Sequence, residues 1–480
     1  MATIKTFLSS LSKSDRSSVL IFLLILGTAL LVRFYNFPAW FGFDYDQEIN
    51  AFLAKRILVD HKITLLGPET STGGMFVGSY YNYFIALFYL LGRMDPMSTI
   101  ILNVLISTLT LLLLYLVVKK LASGTAAIIS GLIYGFSSMI TGYDRVSWNP
   151  APMPLVSLAL VFCLYTYLSS DKRKYLIATL LLLGFMFHLH FTVLFMTAYV
   201  FLVLFIYRTR SLVRLHSLVL ISFCLGIFLF PLVIFDLRNG FLNSRHLLQF
   251  FLATGTASNS FQISSLLQSF GRVAYLFIAF SKAIFFDKSS FFLDLLFGLF
   301  WGGFFLYVLK NWKRKENLFW NLVFLVFLIL LLAMPFHRGS LPPYYFFLVF
   351  PLWVITTSVF LASIYQSSAL GKLVVLTVLM AFLWVNVPVT LASHNTLALQ
   401  SKQQAVSFVV KDAGSSNLDI DYIAQLGKKT GFDYLFWLAG NKIKINQGPT
   451  KHKYKIVVPY FLVKPEELTT RFGDVGVIKI

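Results

Sequence analysis

The sequence predicts a polytopic α-helical membrane protein, on three observations. Apolar runs long enough to cross a bilayer recur along the chain, charged residues make up only 12% of its 480 positions, and the basic residues gather between alternate runs. A soluble domain carries about 25% charged residues, and a span needs roughly 20 apolar ones. In lipid the backbone must satisfy its own hydrogen bonds, so these runs are helices.

About eleven spans are predicted, near 18–35, 96–118, 122–140, 152–169, 175–189, 191–207, 217–235, 290–309, 318–335, 344–365 and 371–390. The first is read as retained, because Arg33-Phe34-Tyr35 follows it where a cleaved leader would carry small residues. Short-loop charge then orients the chain. Lys5, Lys13 and Arg16 precede the first span, Lys119-Lys120 follow the second, and Lys172-Arg173-Lys174 follow the fourth. Arg208, Arg210 and Arg214 follow the sixth, Lys310, Lys313, Arg314 and Lys315 the eighth, and Lys372 opens the last. With eleven spans every cluster falls on one side. The expectation is a multi-pass plasma-membrane protein with its N-terminus cytoplasmic and its C-terminus extracytoplasmic. The net charge of +20 is then topological. Nucleic-acid binding would need the basic residues on one solvated face, so no nucleic-acid partner is expected. Cys163 and Cys224 fall inside apolar runs, which suits inert thiols and no disulfide framework.

The opposite side receives the longer segments 36–95, 236–289 and 391–480. The chain divides into a membrane domain, 1–390, and an extracytoplasmic α/β tail, 391–480. The tail has strand-like Tyr454 to Val458 and Val475 to Ile480, and a helical stretch from Gln400 to Lys411. So small a unit is near the lower limit for independent stability and should lean on the membrane part.

The outer segments hold the chemistry. Asp44, Asp46 and Glu48 lie within five residues, at the start of a helix on which Ile49, Phe52, Leu53 and Ile57 share a face. Such a helix can lie along the interface, and its dipole favours carboxylates at its start. An N-cap followed by a solvated acid is the plainer alternative. Next come Gly67-Pro68, Thr72-Gly73-Gly74-Met75-Phe76 and Gly78-Ser79-Tyr80-Tyr81-Asn82-Tyr83. Glycines allow close backbone approach to a ligand, which makes Tyr81 and Tyr83 candidate substrate contacts; turns and an aromatic belt are the alternative. The segment Tyr143-Asp144-Arg145-Val146-Ser147-Trp148-Asn149-Pro150 is short and dense in polar groups, with Asn149 a further candidate contact.

His188-Leu189-His190 ends the fifth span without a nearby Cys or carboxylate, so no metal site is assigned, and His190 is taken as a substrate contact. Arg238 ends the seventh span; His337 and Arg338 end the ninth, ahead of Tyr344 and Tyr345, the latter a candidate contact. Cations repeatedly terminating spans on one face suit an anionic lipid headgroup, although each alone also reads as a snorkelling anchor. Arginine's fork matches phosphate, which nominates Arg145, Arg238 and Arg338, with His337 beside them.

These features together resemble the GT-C glycosyltransferases, among them the protein O-mannosyltransferases and the bacterial lipid A aminoarabinose transferases. The resemblance rests on Asp46 two residues before Glu48 with Ala51 and Leu58 in register, the Gly-Gly…Gly-Ser-Tyr-Tyr-Asn-Tyr segment, Trp148-Asn149-Pro150, and Tyr344-Tyr345 leading into Pro351. It covers roughly residues 15–390 and leaves the tail unmatched. It implies a GT-C-like fold of about eleven transmembrane helices with outer interfacial helices and a small C-terminal α/β appendage. It also implies a polyprenyl- or dolichyl-phosphate sugar donor, a membrane lipid, with transfer at the extracytoplasmic face to an acceptor the resemblance does not define. The family's loop aspartate, thought to be the catalytic base, falls on Asp46, with Asp44 and Glu48 as neighbours. Relatives often carry a second first-loop acid beside an aromatic, and Phe76-Val77-Gly78 has none. No cofactor is predicted, and a divalent metal is left open.

The chemistry agrees. An acceptor hydroxyl attacking an anomeric carbon must lose a proton, which a positioned carboxylate can take. A lipid phosphate leaves as a stable anion, helped by fixed positive charge, and one displacement inverts the centre. Two other classes fit less well. A secondary transporter would favour midplane sites and internal repeats, neither of which is evident. A flippase or ligase for lipid-linked glycans shares the substrate type.

Overall fold

The computed structural model describes residues 13–70, 73–212, 215–252, 263–288, 290–337, 339–414, 417–440, 444–445 and 452–480. Helix α1 (Lys13–Phe34) leads through a 3-10 turn into α2 (Tyr45–Leu58), a hairpin of β1 (Leu66–Glu69) and β2 (Phe76–Gly78), and α3 (Tyr80–Leu91). Then come α4 (Ile100–Leu121), α5 (Gly124–Phe136), α6 (Ser138–Asp144), α7 (Met153–Ser170), α8 (Arg173–Met186), α9 (Val193–Leu212) and α10 (Leu215–Arg238). The long second connector folds into α11 (Leu242–Leu252) and α12 (Ile263–Ala283). Helices α13 (Phe291–Lys310), α14 (Leu318–Ala333), α15 (Phe350–Ser367) and α16 (Ala369–Ala392) complete the bundle.

Among the described residues, eight helices are long and apolar enough to cross a membrane, or nine if α5 and α6 are one span bent by 62°. The bend follows from Ser137, whose extended backbone (φ −62°, ψ 120°) breaks the helix. Asn386 of α16 then takes hydrogen bonds from the Ser138 amide and hydroxyl, both at 2.8 Å. All eleven predicted runs are helical, but the count of eleven spans is not carried through. α8 has only 14 residues, about 21 Å of helix against a hydrocarbon core of about 30 Å. α9 loses helical geometry at Arg208 (φ −142°, ψ 26°).

The amphipathic α2 turns its apolar face outward and its small and polar face toward the protein, as a helix lying along the interface would. Its buried residues are Gln47, Glu48, Asn50, Ala51 and Ala54, while Phe52 is exposed. Lipid does not drive apolar groups inward. Small and polar residues instead let α2 approach α3, where Asn82 donates to the Asn50 side chain at 2.9 Å. The glycines of the first connector also serve a different purpose from the one expected. A Cβ on Gly78 would lie 2.0 Å from the His188 ring, and one on Gly74 would lie 2.5 Å from His246. Protein side chains, not a ligand, occupy those approaches.

The C-terminal region begins with α17 (Leu399–Ala413), followed by β3 (Asn417–Ala424), α18 (Asp433–Ala439), β4 (Lys444–Ile445), β5 (Lys453–Val458), β6 (Thr470–Phe472) and β7 (Val475–Lys479). The strands form one mixed sheet in the order β4-β3-β5-β7-β6, with β3 parallel to β4 and β5 and the β7 pairings antiparallel. This region is tied to the connector after α1. The Leu399 amide donates to the Phe41 carbonyl at 2.7 Å and the Asn395 amide to the Ala39 carbonyl at 2.9 Å.

Candidate active site

At the end of the bundle opposite the basic clusters, the connectors enclose a small open cleft. It is lined by Asp46, Glu69, Trp148, Asn149, His190 and Tyr344, with Pro68, Thr70, Val77, Pro150 and Leu189 between them. Asp46, Asn149 and His190 were legible as candidates from the sequence. Glu69, Trp148 and Tyr344 complete the lining.

The acidic cluster separates cleanly. Asp44 precedes α2 and bonds to Lys402 Nζ at 2.9 Å. Glu48 turns away from the cleft, accepting from the Gly431 amide at 2.8 Å and the Tyr434 amide at 3.0 Å. Asp46, between them, lines the cleft. Burial first, and then the neighbouring Asp44 charge, push its carboxyl above the usual range. Asp44 and Glu48, the other two acids expected at the catalytic position, both bond to the C-terminal region and do not line the cleft.

Glu69 is an acid of the lining that the sequence reading did not name. It ends β1, across the hairpin from Phe76, and its carboxylate accepts from the Gly74 amide at 2.5 Å.

Among the described residues, two buried donors in the lining have no partner: Trp148 Nε1 and Asn149 Nδ2. Asn149 is only 4% exposed, and leaving such a group unsatisfied costs about 1–3 kcal/mol. Trp148 is held by an edge contact with Tyr344 at 4.9 Å between centroids. His190 meets the rings of Tyr344 and Tyr345 edge-on at 5.7 and 5.2 Å. Burial, and secondarily His337, push His190 down to about 3, so it enters the cleft neutral. Burial likewise lowers His337.

Several further candidates take structural positions. Arg145 is buried beneath the cleft. It donates to the carbonyls of Arg33 at 2.7 Å and Thr390 at 3.2 Å, bonds to the Ser393 hydroxyl, and stacks over Trp40 at 4.2 Å. Those bonds make it a clamp for α1, α16 and the segment carrying Trp148, and it is not among the residues lining the cleft. Tyr81 is fully buried in the core, and the Tyr83 hydroxyl bonds the Thr64 amide at 2.9 Å and carbonyl at 3.1 Å. Neither lines the cleft. Tyr345 is buried behind Tyr344. Arg238 is exposed at the end of α10 and outside the lining. His337 stands at the end of its span, outside the lining. Arg338 lies outside the described residues. Arg272, which sequence reading passed over, donates to the carbonyls of His337 at 2.9 Å and Gly339 at 3.4 Å, on either side of position 338. The paired histidines find no shared ligand: His188 bonds the Tyr80 amide at 3.1 Å and the Phe228 carbonyl at 2.8 Å.

The fold has counterparts among solved structures. ArnT from Cupriavidus metallidurans, solved bound to undecaprenyl phosphate, superposes with a TM-score of 0.59 over 95% of this chain and 97% of that one, at 11% identity. The two chains share a fold over nearly their whole lengths. The same ArnT in its apo state matches with a TM-score of 0.57. The oligosaccharyltransferase of Archaeoglobus fulgidus gives 0.47 over 88% of this chain and 64% of that one, at 11% identity. By sequence, residues 79–235 match the family described as dolichyl-phosphate-mannose-protein mannosyltransferase. Comparison with curated proteins returned no significant match. The structural likeness and the sequence match over residues 79–235 point in the same direction.

Proposed function

We propose that this glycosyltransferase moves one sugar from a polyprenyl-phosphate donor to a hydroxyl acceptor outside the cytoplasm, with inversion, using Asp46 as general base. The observation that carries the reading is that Asp46, alone of three clustered acids, lines the cleft with its carboxyl raised. The acceptor oxygen forms its bond to the anomeric carbon as the carbon–oxygen bond to phosphate breaks. The acceptor proton goes to Asp46, and the phosphate departs as an anion. Trp148 Nε1 and Asn149 Nδ2 are suited to donate to donor oxygens, since they are the unpartnered N–H groups of the lining. Arg338 is retained as the candidate phosphate cation, with Arg272 bracing the backbone around it. A neutral His190 beside Tyr344 suits sugar hydroxyls better than phosphate.

The reading divides the chain at about residue 390 into membrane and tail units, with basic clusters cytoplasmic and the tail outside. A cysteine at Leu426, which is fully exposed, should label with an impermeant maleimide in intact cells. Labelling only after lysis would reverse the orientation.

Function is tested by incubating the detergent-purified protein with polyprenyl-phosphate lipids extracted from its host membranes. Release of free polyprenyl phosphate and an inverted anomer in the product are expected. Retention of configuration would exclude the single displacement. Trp148→Phe, which removes only the N–H, should raise the donor KM roughly tenfold or more, as loss of a hydrogen bond to a charged group worth about 1.5–3 kcal/mol requires. An unchanged KM would remove Trp148 from donor recognition.

A further inference from the structure

We infer that Lys402, contributed by the C-terminal region, is a positioning residue for the transfer reaction: it neutralises Asp44 and pins the turn that opens α2, leaving Asp46 as the acid presented to the cleft. The inference rests on Asp46 being the base.

The geometry is that of a built site. The Lys402 side chain is 0% exposed. An ammonium has three N–H donors, and here they meet three acceptors: the Phe43 carbonyl at 2.7 Å, the Asp44 carboxylate at 2.9 Å and the Thr430 carbonyl at 2.9 Å. Gly431 completes the seat. Its φ is +92°, and a Cβ there would lie 2.2 Å from the Phe43 carbonyl and 2.9 Å from Lys402 Nζ. Its amide reaches Glu48, so the acids two residues before and two after Asp46 are both tethered to the C-terminal region, Asp44 through Lys402 of α17 and Glu48 through Gly431. The tether fixes α2 without touching Asp46.

Lys402 also acts through charge. Asp44 is the like charge beside Asp46, and Lys402 is the cation bonded to it. Removing the ammonium makes the surroundings of Asp46 more negative by one unit, which favours its protonated, inactive form. The other ionisable groups around the pair are Glu48 on α2, Glu69, His190 and Tyr344 on the cleft walls, and Lys428 and Asp433 in the C-terminal region. These are unchanged by the substitution.

The test is the pH profile of kcat for Lys402→Met, Asp44→Asn and the double variant, using the full chain and the extracted donor lipids that the parent turns over. For Lys402→Met, the acid limb should move upward by about half a unit or more, and kcat should fall roughly tenfold or more through misplacement of the base, with donor KM little changed. Asp44→Asn should move the limb down, because the like charge is gone. The double variant should return the limb toward the parent position. If Lys402→Met fails to fold, Asp44→Asn, which keeps both carbonyl bonds of Lys402, still reads the electrostatic link. A limb that stays put in Asp44→Asn, or one that Asp44→Asn fails to bring back in the double variant, would reduce Lys402 to a structural role. Transfer by Asp46→Asn would instead remove the base assignment itself, a separable failure.

Discussion

Asp46→Asn is expected to lower transfer by about 10²–10⁴-fold, the usual worth of a positioned general base, in a protein that still folds and still binds donor lipid. The amide keeps the size and the hydrogen-bonding capacity of the carboxylate but accepts no proton at neutral pH. Single-turnover measurement on bound donor isolates the chemical step. The parent enzyme should lose activity as pH falls through the carboxyl's own value, which lies above the usual carboxylate range because burial and Asp44 both disfavour the anion. Asp44→Asn should remain active, and Glu48→Gln should weaken the seat of the C-terminal region through its bonds to Gly431 and Tyr434. An active Asp46→Asn beside an inactive Asp44→Asn would transfer the role to Asp44.

Asp144→Ala should be the most destabilising of the simple variants, at about 3–5 kcal/mol. Arg33 is fully buried near the end of α1 and pairs with Asp144 at the end of α6. It also donates to the Tyr134 carbonyl at 2.7 Å and the Gly135 carbonyl at 3.0 Å, while Asp144 accepts from Ser107 at 2.9 Å. Removing the carboxylate leaves a buried guanidinium without its counter-ion. Replacing both partners with apolar residues, as in Arg33→Met with Asp144→Leu, should recover much of the loss, because desolvating an ion pair offsets most of its attraction. Thermal unfolding in detergent reads both. A single variant as stable as the parent would mean that water reaches the pair.

Much of the fold was legible because the bilayer imposes a length and a composition on each span, and all eleven apolar runs are helical. Shortness was less visible: α8 ends at Met186 because the chain turns there to bring Leu189 and His190 to the cleft. In the site, Asp46, Asn149 and His190 were readable as polar residues flanking spans. The roles of Asp44 and Glu48 were not, because their partners lie 358 and 383 positions away, and no local spacing encodes such a pairing. Arg145 misled for a related reason. A guanidinium suits phosphate and backbone carbonyls equally, and only the packed structure shows which it meets. Glu69 was missed because a β-turn, not a helical register, carries it to the cleft.

The fastening of α2 by Lys402 and Gly431 has a consequence for the order in which the protein is made. The ribosome delivers Asp46 early and its anchors hundreds of residues later. A nascent or prematurely terminated chain can insert its helices and expose the acid, yet lacks the bonds that hold that acid in register. Transfer is then expected only after Lys402 and Gly431 have been added to the chain and have closed on the turn before α2.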